Sequence, residues 1–180
     1  MKKHTKKQQT HLTKEHLRML QPALAGHRLE AIITVALVTG ARRDELLQMK
    51  WQDLDLEQCE LRIANTKTKH NARVIRLPEE VIEVLVRYQR RQMDAQVQAG
   101  SDWQHLDLIF SDDVGGMLRF EEVLNEWYEI LARAALPPIP FHELRAARGR
   151  ALYEQVYASR KRSDGTQGGD PSSDTNSDGL

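Results

Sequence analysis

A glycine that ends one apolar helical stripe, followed at once by a pair of arginines that opens the next, constrains this chain more than any other feature. From Arg28 to Val38, the residues Leu29, Ile32, Ile33, Ala36 and Leu37 recur at the spacing of a helix packed on one face. Gly40 is the expected stop, because glycine adopts the left-handed conformation that closes a helix without a steric penalty. Ala41-Arg42-Arg43-Asp44-Glu45 then leads into Leu46, Leu47 and Met49, which bury a second short helix. Two elements therefore meet at a sharp corner that carries charge.

An arginine at such a corner keeps its charge near pH 7, and its forked head matches phosphate oxygens two at a time. Arg42 is accordingly expected to grip a phosphate. Glu45 falls three residues on, one turn along the same face, where it can orient the Arg42 guanidinium and leave the outer nitrogens free. The competing reading is an ordinary surface ion pair contributing about a few tenths of a kcal/mol. The heptapeptide Thr39 to Glu45 does not by itself choose between them.

The remaining elements follow from local signals. Thr13 is a helix N-cap before Leu17, Leu20 and Leu24. Cys59 to Ala64 alternates apolar and polar as a half-buried strand does, and Ala72 to Leu77 can pair back with it across a polar, lysine-bearing turn from Asn65 to Asn71. Pro78, Glu79 and Glu80 open a helix through Val81, Leu85 and Tyr88, whose Arg87, Arg90 and Arg91 read as a solvated face and stay outside the site. Leu106 to Phe110 is the expected third strand, ended by a turn through Asp112, Asp113, Gly115 and Gly116. Phe120, Val123, Leu124, Trp127, Ile130 and Leu131 make an amphipathic helix. After the stiff lead-in Leu136-Pro137-Pro138-Ile139-Pro140, Phe141 begins another helix, on which His142 and Arg145 share a face. The fold class is mainly α with a small antiparallel three-stranded sheet.

At 180 residues the chain fits one domain with a real core. A single cysteine, Cys59, excludes a disulfide framework and a cysteine-type zinc site, and the seven histidines are scattered without ligand spacing, so no metal or other cofactor is expected. No apolar run matches a membrane span and the N-terminus lacks a signal peptide's apolar core, which makes the expected location cytoplasmic, with no membrane partner. Lys plus Arg and Asp plus Glu are 26 each, so only the distribution of charge is informative. Residues 1–11 form a basic N-terminus expected to be disordered, 12–157 the folded domain, and 158–180 an acidic Ser/Gly/Asp-rich tail too poor in apolar residues to fold. Without that tail the chain is net positive, as suits a surface meeting phosphates, although a basic end can equally be a solvated one.

Four stretches read together carry a resemblance. Thr39-Gly40-Ala41-Arg42-Arg43-Asp44-Glu45-Leu46-Leu47, Trp51-Gln52-Asp53-Leu54-Asp55, Thr66-Lys67-Thr68-Lys69 before a strand, and Phe141-His142-Glu143-Leu144-Arg145 resemble, in this order, the catalytic domain of tyrosine recombinases, in particular phage integrases of the lambda type. The likeness runs from about Leu12 to Gln155. It implies site-specific DNA recombination or integration: a tyrosine hydroxyl attacks a DNA phosphodiester, forms a 3′-phosphotyrosyl link and frees a 5′ hydroxyl. It further implies that Arg42 and Arg145 clamp the phosphate, that His142 handles the nucleophile's proton, that Lys67 (or else Lys69) protonates the leaving 5′ oxygen, and that Glu45 orients Arg42. The implied partner is double-stranded DNA, with a homo-oligomer on DNA and a monomer in solution. Members usually carry a separate N-terminal DNA-clamping domain, which this sequence does not contain, so it reads as a catalytic domain alone.

The sequence departs from the pattern after Gln155. Members follow His-x-x-Arg with a Leu-Gly-His element and then a late nucleophilic tyrosine, and this chain has neither. Tyr153 matches a tyrosine that is not the nucleophile in lambda-type proteins, which leaves Tyr157 as a relocated candidate beside a tyrosine supplied by a neighbouring subunit. The expected fold therefore lacks its last helices, by truncation or a change of reading frame. Two functions stay open: a recombinase impaired by loss of the nucleophile region, and a catalytically silent DNA-binding remnant or regulator. A helical protein-interaction domain would require all four stretches to be accidental.

Overall fold

The computed structural model describes residues 11–64 and 72–145. The expectations for Lys67, Lys69, Tyr153, Tyr157 and the acidic tail fall outside the described residues.

Helix α1 (Lys14–Leu24) starts where its cap predicts, with the Thr13 hydroxyl accepting the His16 N–H at 3.2 Å and His16 Nδ1 accepting the Thr13 N–H at 3.3 Å. Leu17, Leu20 and Leu24 are its buried stripe. Helix α2 (Glu30–Thr39) differs from the expected one-faced helix, since every residue from Ala31 to Val38 is buried. The reason lies in its composition: eight successive residues without a charge leave no face for water, and the helix Glu79–Ala99 and the Phe141–Arg145 turn both pack against it. It is the axis of the core.

Strands β1 (Leu54–Asp55), β2 (Glu60–Ile63) and β3 (Arg73–Arg76) form one antiparallel sheet in that order, with Leu61 opposite Leu54 on one side and Ile75 on the other. Leu61 and Ile63 point into the core while Glu60 and Arg62 face out, as the alternation requires. The sheet has the expected three strands, but the third is not Leu106 to Phe110. That stretch makes one isolated bridge, Lys50 to Leu108, and Asp107 takes a left-handed φ of 60° that breaks an extended run. Ile109 and Phe110 are both buried in succession, which a strand with one wet face does not allow. The strand that replaces it, β1, is two residues long and is fixed by the turn after it, where Asp55 Oδ1 accepts the N–H groups of Glu57 and Gln58, each at 2.9 Å.

Helix α4 (Glu79–Ala99) begins after Pro78 and buries Val81, Val84 and Leu85. Of the arginines expected on its solvated face, two also make surface contacts to the start of α2 and the turn before it: Arg87 pairs with Glu30 at 3.1 Å, and Arg91 donates to the Gly26 carbonyl at 2.9 Å while its guanidinium lies over the Tyr88 ring. Helix α5 (Phe120–Arg133) buries Val123, Trp127, Ile130 and Leu131 and packs on α1. The Trp127 indole N–H donates to the Ile139 carbonyl at 2.7 Å, and Phe141 meets the rings of Trp127 and Phe120 edge-on at 6.1 and 5.2 Å. The proline-rich lead-in is thereby fixed to the core just before the 3-10 turn Phe141–Arg145.

Candidate functional site

Gly40 sits at φ +61°, the left-handed closure of α2, with its N–H on the Ala36 carbonyl at 3.0 Å. Ala41 beyond it is fully buried, and Arg42 is extended at the cap of α3 (Arg43–Leu47), as an N-cap residue is. The first orphan donor of that helix end, the Arg42 N–H, is taken by the Glu45 carboxylate at 2.7 Å. Arg43 is occupied elsewhere, bonded to Asp44 at 2.8 Å and stacked over the Phe120 ring. Both arginines of the pair are exposed, Arg42 with 61% and Arg43 with 57% of its side chain, but Arg42 makes only a loose side-chain contact and is the one left available.

Glu45 is not a surface acid. Its side chain is 1% exposed, and the partner that satisfies it best is Arg73 on β3, whose two terminal nitrogens reach its two oxygens at 3.2 and 2.8 Å. Arg42 Nη1 stands at 3.4 Å from Glu45 Oε1, a looser contact. The geometry removes the exposed-pair reading, and it gives the carboxylate a second arginine as its main partner. Burial pushes the Glu45 carboxyl up, but the Arg73 hydrogen bonds, the Arg42 N–H and the charges of both arginines outweigh burial and hold it below the ordinary carboxylate range.

A carboxyl depressed in the folded state binds its proton more readily when unfolded, so its contribution to stability is full above the unfolded value near 4.5 and is lost as pH falls through the folded value. We expect the denaturant midpoint of the natural protein to fall steeply below about pH 4.5, and Glu45→Gln to start from a lower midpoint with a shallower acid decline. An unchanged acid limb in the variant would assign the acid sensitivity to other carboxylates.

The other end of the site comes from the chain's far side. Arg145 Nε donates to the Gly40 carbonyl at 3.2 Å, across a separation of 105 residues, which ties the Phe141–Arg145 turn to the corner that carries Arg42. Arg145 is exposed and pairs with no carboxylate among the described residues. His142 lies on the same turn with 64% of its side chain exposed and its Nε2 at 3.5 Å from Glu143 Oε1. Glu143 is buried and also meets His11, whose Nδ1 is 3.0 Å from its Oε2. Ile63 opposite Arg73 is the last described pair of the β2–β3 ladder, and through Arg73 that pair is bonded to Glu45.

Four of the charged groups, Arg42, Glu45, Arg73 and Arg145, therefore converge on the Gly40 corner, with His142 one turn away. Arg73 is the residue the sequence reasoning passed over. Its signal is the register it shares with Ile75 and Leu77, which turns Arg73 toward the covered side of the sheet, where an acid can meet it. Among the described residues no helix is long and apolar enough to cross a membrane.

A model of the phage integrase family matches residues 2–161 of the chain. Over 166 residues the chain is 29% identical to a tyrosine recombinase XerC-like protein of Caldanaerobacter subterraneus subsp. tengcongensis, covering 78% of this chain and 42% of that protein. It is 30% identical to an integrase of Streptomyces ambofaciens over 128 residues, 62% of this chain and 33% of the relative. The chain thus spans less than half the length of these curated relatives. Its fold is similar to that of XerA recombinase (TM-score 0.64, 21% identity, 89% of this chain and 52% of the other). It is similar also to XerH recombinase bound to palindromic difH substrate (0.62, 22%, 90% and 48%) and to the lambda integrase catalytic core (0.54, 21%, 81% and 87%).

Proposed function

Because this chain belongs to the phage integrase family, we propose that its Gly40 corner grips a phosphodiester of double-stranded DNA as part of a site-specific tyrosine recombinase. The observation that carries the reading is the Arg145 to Gly40 hydrogen bond, which joins two outward-facing guanidiniums from distant parts of the chain in one cluster. Two fixed cations there stabilise the charge that builds on the non-bridging oxygens when a phosphate is attacked, and they need no rearrangement to do it. His142 accepts the proton of the attacking tyrosine, and Lys67 gives one to the departing 5′ oxygen. Glu45 keeps Arg42 in place. The bond energy is retained in the phosphotyrosyl ester, so rejoining consumes no nucleotide. Tyr157 is the nucleophile candidate this sequence offers. The protein acts on DNA in the cytoplasm, is a monomer in solution and assembles with further copies on DNA, by analogy with the lambda integrase tetramer bound to a Holliday junction.

The test uses duplex DNA of mixed sequence, intact and singly nicked. Expected is binding whose log K falls linearly with log salt, by about 0.9 for each phosphate neutralised. On the nicked duplexes, a detergent-stable protein–DNA adduct that disappears in Tyr157→Phe identifies the active recombinase. Binding without an adduct identifies the silent DNA-binding form, and salt-independent or absent binding removes the phosphate site altogether.

A further inference from the structure

We infer that Arg73 is a positioning residue that couples the β2–β3 hairpin to the Arg42 corner through the buried Glu45 carboxylate, so that Arg42 grips a phosphate only when Arg73 is in place. The inference rests on the phosphate-gripping role proposed for Arg42.

Glu45 has two oxygens and four donors, three close and one loose. Arg73 supplies one guanidinium nitrogen to each oxygen, at 3.2 and 2.8 Å, and the Arg42 N–H takes Oε2 as well at 2.7 Å. With the close contacts to both oxygens taken by Arg73 and the Arg42 N–H, the Arg42 side chain makes only the loose 3.4 Å contact. The Arg42 guanidinium is therefore kept near the cluster without being neutralised by it. Removing Arg73 changes that balance, because a nearly fully buried carboxylate cannot remain half-satisfied. Its nearest substitute donor is the guanidinium of Arg42, which would fold inward and leave the surface. Arg73 thus holds Arg42 outward by occupying the acid that would otherwise capture it.

The same bond has a second consequence. Arg73 pairs with Ile63 in the last described rung of the β2–β3 ladder, so that rung and the backbone of Arg42 are both fixed to the Glu45 carboxylate. An Arg73→Lys change keeps the charge and removes the fork, and a lysine can satisfy only one oxygen at a time.

The measurement is a double-substitution cycle on duplex DNA binding, with Arg73→Lys and Arg73→Gln each made alone and together with Arg42→Ala. Expected is an affinity loss of about tenfold for each Arg73 change alone, and little further loss when either is added to Arg42→Ala. Amide exchange at Arg42 should quicken in both, since its N–H is bonded to the same carboxylate. Equal losses in the presence and absence of Arg42 would overturn the coupling and leave Arg73 a purely structural residue, whatever its effect on thermal stability. Should Arg42→Ala alone leave affinity untouched, the phosphate reading itself fails and the inference falls with it.

Discussion

Trp127→Ala is expected to lower the unfolding free energy by about 3–5 kcal/mol, the range for deleting a large aromatic side chain from a core that cannot collapse around the space. Trp127 is fully buried, so every atom of the ring is in contact with protein. Three things are lost together: the apolar burial, the edge-on contact with Phe141 at 6.1 Å, and the indole donor to the Ile139 carbonyl at 2.7 Å. Trp127→Phe separates them, because it keeps most of the apolar volume and leaves the Ile139 carbonyl without its partner. Its expected cost is about 1–3 kcal/mol. Urea unfolding of the three proteins measures both steps. A loss below about 1 kcal/mol for Trp127→Ala would mean that α5 does not anchor the lead-in to Phe141, and so does not set the position of His142 and Arg145.

Much of this architecture is legible in the sequence because its signals are local. Thr13, Gly40 and Pro78 each act within one turn of a helix end, and the structure begins or ends an element at each. Where the sequence reading failed, the deciding interaction was distant or the element was too short to show a period. Two residues of β1 have no alternation to detect, and Asp107 departs from the strand through a backbone angle that nothing in its neighbours announces. The stripe along α2 was correctly placed yet incomplete, because burial on every side comes from what packs around the helix. The same division runs through the candidate site. Arg42, His142 and Arg145 stand out by spacing and company, whereas the pairing of Glu45 with Arg73 joins residues 28 positions apart and exists only once β3 is seated on the sheet.

Arg42→Ala and Arg145→Ala should each weaken duplex DNA binding by about 10- to 100-fold, the loss expected for one charge-assisted contact to a phosphate. Neither change should cost much stability. Arg42 is 61% exposed and its side chain makes only the loose contact to Glu45, while Arg145 gives up one hydrogen bond to the Gly40 carbonyl, about 1 kcal/mol. The salt dependence then distinguishes a shared phosphate from two separate ones. Each bound phosphate contributes a slope of about −0.9 in log K against log salt. If the two guanidiniums clamp a single phosphate, as their common attachment to the Gly40 corner implies, the double variant loses about 0.9 of slope in total. Its affinity loss also falls short of the product of the single losses, since the second substitution acts on a contact already broken. Independent phosphates give instead a slope change near 1.8 and multiplicative losses. That outcome would leave the corner able to bind DNA while denying it the paired grip on one phosphate that transesterification requires.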